Sequence, residues 1–234
     1  MRKLEVRKCP DNQETGQTTE SNKKLIVVLT GGGAKGAFQV GAWNRIIQEG
    51  LNFEGEILKI WIPEAVFGVS VGAFNGDLIA KGKNAELVKL WNRIAEQSQE
   101  SDCGDKFMWL FTDGDVKKAN PLSDAIKYVI SKQQDTKNEY YFLIISCNAD
   151  FVSTTCDITF NEFLRINTLV KQSESKGLAL FSDSGRTLQN FKYKIIQPQR
   201  DLGSVSNFSR SIVMDAYLHG YEVAQGVIKL PNWD

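Results

Sequence analysis

An α/β fold organised on a largely parallel sheet is what this sequence predicts, and three observations carry the prediction. Apolar, β-branched runs alternate along the chain with segments of helical apolar spacing. The first run, Leu25-Ile26-Val27-Val28-Leu29, is apolar without interruption, as a strand covered on both faces must be. Two glycine turns, Gly31 to Gly36 and Gly68 to Gly72, each follow such a run and lead into a helix. In sheets of this kind, chemistry collects at the C-terminal ends of the strands.

Each element has its own signal. Residues Met1 to Lys24, rich in Gln, Glu, Thr, Asn and Lys, are expected to form a disordered tail, with one domain running from Leu25 to Asp234. Behind the first turn, Ala37 to Ile47 has the apolar spacing of a helix. Ile57 to Ile62 and Ala65 to Val69 read as short strands, and the second runs straight into Gly68-Val69-Ser70-Val71-Gly72. Small and apolar residues (Ala73, Phe74, Leu78, Ile79, Ala80) then predict another helix. Ala85 to Gln97 is amphipathic, with Leu87, Leu90, Trp91 and Ile94 on one side. Ser98 to Asn120 reads mostly as loop, and its aromatics Phe107, Trp109 and Phe111 fit packing beneath that loop better than an acyl groove. Further on, Pro121 to Ser131 predicts a helix and Tyr140 to Ile145 a strand. Leu164 to Gln172 predicts a helix, Lys192 to Gln197 a strand and Ser209 to Gly226 a terminal helix. Lys23, Lys24, Lys117 and Lys118 read as solvated charge.

Composition narrows the classes of function. At 234 residues, 42% hydrophobic and 24% charged, the chain has the make-up of an ordinary globule that needs neither disulfides nor metal for stability. Its 28 basic residues cancel its 28 acidic ones, so no global field attracts nucleic acid, and none is expected as a partner. The four cysteines, Cys9, Cys103, Cys147 and Cys156, lack the two-residue gap of zinc or redox pairs. Cys147 and Cys156 read as buried thiols, and the expected setting is reducing and cytoplasmic. No segment approaches the roughly 20 consecutive apolar residues that span a bilayer, so any membrane contact is expected to be peripheral. The charged start, Met1-Arg2-Lys3, has no apolar run behind it and does not read as a secretory signal.

The second turn carries a nucleophile signature. In Gly-x-Ser-x-Gly between a buried strand and a helix, the glycines permit a bend too tight for side chains, and the serine is held strained with its hydroxyl displayed. Here the pattern sits between Ala65-Val66-Phe67 and Ala73-Phe74-Asn75-Gly76-Asp77, and it makes Ser70 the leading candidate. The competing reading is a tight turn whose serine caps the helix. The first turn fits Gly-x-Gly-x-x-Gly, which cradles pyrophosphate when an acidic residue follows about 20 positions on. Glu54 and Glu56 lie near that distance but precede the strand that should present them. A Walker-type loop fits less well, because Lys35 is not followed by Ser or Thr. Alternatively, the glycine amides form an oxyanion hole, which has meaning only beside a nucleophile.

One count decides between serine mechanisms. The chain has a single histidine, His219, placed inside the terminal helix between Leu218 and Gly220, where it reads as structural. A catalytic Ser70 must then draw on a carboxylate (or, less favourably, a lysine) as its base.

Gly31-Gly32-Gly33-Ala34-Lys35-Gly36 after a first strand, Gly68-Val69-Ser70-Val71-Gly72 after a later one, and the missing triad histidine together resemble the patatin-like phospholipases. The resemblance is clearest from Lys24 to Gly82 and returns from Lys194-Ile195-Ile196-Gln197-Pro198 to Gly220-Tyr221. It implies a three-layer fold with a central parallel sheet flanked by helices, and a Ser-Asp dyad acting on phospholipid or other lipid esters without metal or organic cofactor. It also implies Ser70 as nucleophile and the loop of Gly31, Gly32, Gly33, Lys35 and Gly36 as oxyanion hole, with Lys35 at its basic position. The family's aspartate lies in an Asp-Gly-Gly or Asp-Gly-Ala turn, which this chain does not contain. Asp183-Ser184-Gly185 falls where that turn belongs and nominates Asp183, whose competing reading is an exposed loop residue, whereas Asp113-Gly114-Asp115 falls too early; the stretch between Asp150 and Lys192 is also shorter than the family's usual one. A domain that keeps both turns but only binds lipid, or a nucleotide-binding protein, are the alternatives.

Overall fold

The uninterrupted run that opens the fold becomes one of the two inner strands of the sheet. The computed structural model describes residues 22–53, 56–59, 62–97, 121–132, 138–149, 165, 167–173, 175–176 and 191–225. In chain order these form β1 (Lys23–Leu29), α1 (Gly36–Glu49), β2 (Leu51–Phe53), β3 (Glu56–Leu58) and β4 (Ala65–Gly68). There follow α2 (Val71–Ala80), α3 (Asn84–Gln97), α4 (Pro121–Lys132), β5 (Glu139–Ile145), β6 (Lys192–Ile196) and α5 (Arg210–Gln225). The main sheet has the order β4-β1-β5-β6, and every pairing in it is parallel.

Strand periodicity sorts β1 onto two cores. Leu25, Val27 and Leu29 face one side, where Phe38 and Trp43 of α1, Val71 and Ile79 of α2, Trp91 of α3 and Tyr217 of α5 complete the packing. Ile26 and Val28 face the other side, against Leu122, Ala125 and Val129 of α4. The result is helix, sheet, helix: the expected three-layer α/β architecture. Each of these buried aliphatic side chains contributes about 1.5–3 kcal/mol relative to exposure.

The register puts the ends of all four strands on one rung. Leu29 pairs with Gly68 on one side and Ile145 on the other, and Ile145 pairs in turn with Ile196. The chain leaves β1 toward β4 but leaves β5 toward β6, so the connections diverge from the middle of the sheet. A divergence of this kind opens a crevice at the C-terminal edge.

Three expectations need correction. β1 begins at Lys23, so Lys23 and Lys24 are strand residues and not the end of a tail, because Glu139 and Tyr140 of β5 give their backbones partners. Their charges are not simply solvated either: Lys23 pairs with Glu56, and Lys24 lies 3.4 Å from Glu64. Finally, the strand expected over Ile57 to Ile62 ends at Leu58 and stands outside the main sheet, pairing antiparallel with β2. Residues 167–173 are helical, close to expectation. There the Asn167 side chain donates to the Phe191 carbonyl (3.0 Å) and accepts from the Phe191 amide (2.7 Å), fixing the entry to β6. The expected tail through residue 21, the aromatics Phe107, Trp109 and Phe111, the Asp113 turn, Lys117 and Lys118, and Cys9, Cys103 and Cys156 lie outside the described residues.

Candidate active site

β4 ends at Gly68 and α2 starts at Val71, leaving two residues to reverse the chain from strand into helix. So abrupt a bend forces an unusual backbone. Ser70 has φ 54° and ψ −128°, and is the one non-glycine residue with positive φ among those described. Holding an L residue there costs on the order of 1–3 kcal/mol, a strain typical of functional sites. Gly72 shows why the bend tolerates no bulk, since a Cβ on it would lie 2.6 Å from the carbonyl oxygens of both Leu29 and Thr30. Ser70 occupies the N-cap position of α2, yet its side chain makes no capping hydrogen bond. The helix-cap reading is therefore set aside. Ser70 is half-buried, and its hydroxyl has no hydrogen-bond partner among the described residues.

The turn after β1 is built differently. The Thr30 amide still donates to Ile145 of the sheet, at 3.3 Å. The chain then makes a short 3-10 turn over Gly33–Lys35 before entering α1. The amides of this turn divide into two groups. Ala34 donates to the Val205 carbonyl (2.8 Å), Lys35 to Gly32 (3.1 Å) and Gly36 to the carbonyls of Gly33 and Ala34. Gly31, Gly32 and Gly33 donate to no described residue. Gly33 has φ 53°, and a Cβ there would stand 2.1 Å from the Val205 oxygen, so the strap around Val205 fits only against glycine.

The two turns meet. A Cβ placed on Gly31 would lie 3.3 Å from the Ser70 Cβ. The loop after β5 completes the edge: the Cys147 amide donates to the Thr30 hydroxyl at 2.9 Å, and the Cys147 side chain sits where a Cβ on Gly32 would come within 2.6 Å. Burial pushes the Cys147 thiol up to about 12, against the opposing influence of the Thr30 hydrogen bond and the Lys35 charge. The thiol is therefore neutral packing behind the glycines and not a competing nucleophile. The Lys35 ammonium reaches Asp201 at 3.3 Å. The Asp201 carboxyl is held below its ordinary value, first by the Gly203 amide and then by Lys35. Asp201 is fully exposed, so this pair ties the strap to the glycine turn without adding measurable stability.

The other residues singled out in the sequence separate cleanly. The Nε2 atom of His219 accepts the Gln199 amide at 3.1 Å, and its ring lies 5.7 Å from that of Phe38. Burial first, and then the charge of Arg200, lowers its pKa, so it serves as a neutral structural acceptor. Asp183 lies outside the described residues. Two residues that the sequence reading passed over, Gln39 and Asn75, are fully buried between the turns. Their signal was available: an amide side chain falling on the apolar face of a helix. A buried amide left unpaired costs about 1–3 kcal/mol, so such a residue is kept only with partners in place.

Among the described residues, no helix is long and apolar enough to cross a membrane. No curated protein and no solved structure matches the chain. The family model described as Patatin-like phospholipase matches residues 27–196, a span that holds both turns and the whole parallel sheet apart from the first residues of β1. By that match, which covers most of its length, the chain belongs to the patatin-like phospholipase family, a membership that points to lipid hydrolase activity.

Proposed function

We propose that the chain is a serine acyl hydrolase that cleaves the ester bonds of phospholipids or related lipids. The observation that carries this reading is the 3.3 Å approach of the Gly31 Cβ position to the Ser70 Cβ. That approach supports reading Ser70 as a nucleophile that works beside the Gly31–Gly33 amides, the pairing of groups that acyl transfer uses. The Ser70 oxygen attacks the ester carbonyl carbon while its proton passes to a carboxylate, for which Asp183 is the nominee. The carbonyl oxygen becomes an oxyanion held by the amides of Gly31, Gly32 and Gly33, each donor supplying about 3–4 kcal/mol. Collapse of that intermediate breaks the ester C–O bond, and the departing alcohol takes the proton from the carboxylic acid. Water, deprotonated by the same carboxylate, then attacks the acyl-serine, releases the fatty acid and restores Ser70. No metal or organic cofactor enters these steps. Because substrates of this class reside in membranes, peripheral contact with a lipid surface belongs to the proposal, as does the cytoplasmic setting.

The test is labelling with a fluorophosphonate probe, followed by mapping of the modified residue. We expect the label on Ser70, its loss in Ser70→Ala, and a fall in turnover of a short-chain ester by about a hundredfold or more in Asp183→Asn. Labelling that persists in Ser70→Ala removes the nucleophile from this role. Full turnover in Asp183→Asn removes that residue alone. One observation favours a second reading, a lipid-binding domain without turnover: the sequence has no Asp-Gly-Gly or Asp-Gly-Ala turn. Vesicle binding by a folded chain that takes no label would select it. The nucleotide-binding reading is weaker, because Glu56 is paired with Lys23 at the start of β1. That is the far end of the strand from the glycine turn, roughly 20 Å away at about 3.3 Å per residue.

A further inference from the structure

The two turns belong to different strand–helix units, and nothing in either turn alone fixes their separation. A chain of buried side-chain amides joins them. Gln39, in the first full turn of α1, is 0% exposed and donates both hydrogens of its amide, to the Thr30 carbonyl (2.8 Å) and to the Ile145 carbonyl (3.2 Å). The first carbonyl belongs to the residue after β1 and the second to the last residue of β5, the strands on which the glycine turn and the Cys147 loop hang. Asn75 of α2, also 0% exposed, donates to the Gln39 side-chain oxygen (3.0 Å) and to the Gly36 carbonyl (3.1 Å). Its own side-chain oxygen accepts the Trp91 indole N–H of α3 at 2.9 Å. Every amide hydrogen of Gln39 and Asn75 is thus engaged, and each side-chain oxygen accepts a hydrogen bond. Neither amide can be flipped without placing like groups in contact, so the network has one arrangement.

We infer that Gln39 and Asn75 are positioning residues that set the distance between the Ser70 hydroxyl and the Gly31–Gly33 amides; the inference rests on reading Ser70 as the nucleophile. Asn75 lies little more than one helical turn beyond Ser70, on the helix that the serine bend begins. Gln39 and the Gly36 carbonyl lie at the start of the helix that the glycine turn begins. The Asn75 hydrogen bonds therefore tie the exit of one turn to the exit of the other. Gln39 anchors both to the ends of the strands. Substrate touches neither residue; they act by holding Ser70 and the amides in register for attack, where small displacements are costly.

The experiment measures fluorophosphonate labelling as a saturable reaction, separating the maximal rate from the half-saturating concentration. In Asn75→Leu and Gln39→Met, we expect the maximal labelling rate to fall by about tenfold to a hundredfold while half-saturation stays within about twofold. A matched control is Tyr217→Phe, which removes the hydroxyl that accepts from the Asn44 amide (2.6 Å) in another buried polar pair. That variant should lose thermal stability yet label at the wild-type rate. Maximal rates equal to wild type in folded Asn75→Leu and Gln39→Met overturn the inference. If those chains fail to fold, Trp91→Phe decides, since it deletes a single hydrogen bond to Asn75; an unchanged maximal rate there likewise overturns it. Hydrogen–deuterium exchange provides a readout free of chemistry. Exchange at residues 30–36 and 69–72 should rise in Asn75→Leu and Gln39→Met but not in Tyr217→Phe, and equal exchange in all three overturns the inference. A wild-type chain that takes no label at Ser70 defeats the reading of the nucleophile instead, and the exchange data still show whether the amides hold the turns.

Discussion

The turn after β1 and the turn after β4 both carry a strand into a helix through glycines, yet they solve the problem in opposite ways. The first lengthens the path with a 3-10 turn and places its positive φ on a glycine, Gly33. Its strained position carries no side chain. The second reverses in two residues and places its positive φ on a serine, Ser70. Its strained position carries a hydroxymethyl group. Glycine content does not distinguish them; what does is the residue type that occupies the strained position. A glycine adopts that conformation without strain, whereas a residue with a Cβ is held there at a cost.

Substitutions at the two turns sharpen this contrast, and their effects should descend in a definite order. The largest follows Gly72→Ala, because the new methyl meets two backbone carbonyls that cannot move without disturbing β1. We expect a loss of about 3 kcal/mol or more, a fall in melting temperature of about 6–12 °C, read by calorimetry. Next comes Gly31→Ala. Its methyl meets the Ser70 Cβ at 3.3 Å, a contact relieved by a shift of a few tenths of an ångström. The fold should absorb that shift while the turnover number falls by about tenfold, in a steady-state assay that leaves KM nearly unchanged. The smallest effect has the opposite sign. Ser70→Gly relieves the backbone strain at φ 54° and should raise the melting temperature by about 2–4 °C, a gain of about 1 kcal/mol, while abolishing labelling. If Ser70→Gly melts at or below the wild-type temperature, the serine turn is not strained and the contrast between the two bends fails.

Much of this was legible in the sequence because the signals were local. The run from Leu25 to Leu29 and the one from Tyr140 to Ile145 announce buried strands by composition alone, and the glycine spacings announce the turns. Features that depend on register were not legible. The pairing of Lys23 with Glu56 joins residues 33 positions apart and exists only once β3 is placed against the sheet's lower end. β2 and β3 are three residues each, too short for a period of two to stand out. Gln39 and Asn75 were visible as polar residues on apolar helix faces, but their partners come from the turn after β1, from β5 and from α3, which no single segment reveals. The base for Ser70 stayed a nomination because the chain departs from the family's aspartate turn where that turn should identify it.

The common rung on which β4, β1, β5 and β6 end has a consequence for how this chain tolerates change in length. Adding or deleting one residue within any of these strands would move its loop by about 3.3 Å and turn its side chains to the opposite face, dismantling the edge that carries both turns and a core together. The same insertion in a connecting segment would cost only a fraction of a kcal/mol in closure entropy. Length variation among chains of this kind should therefore gather in the connections and leave the strands untouched.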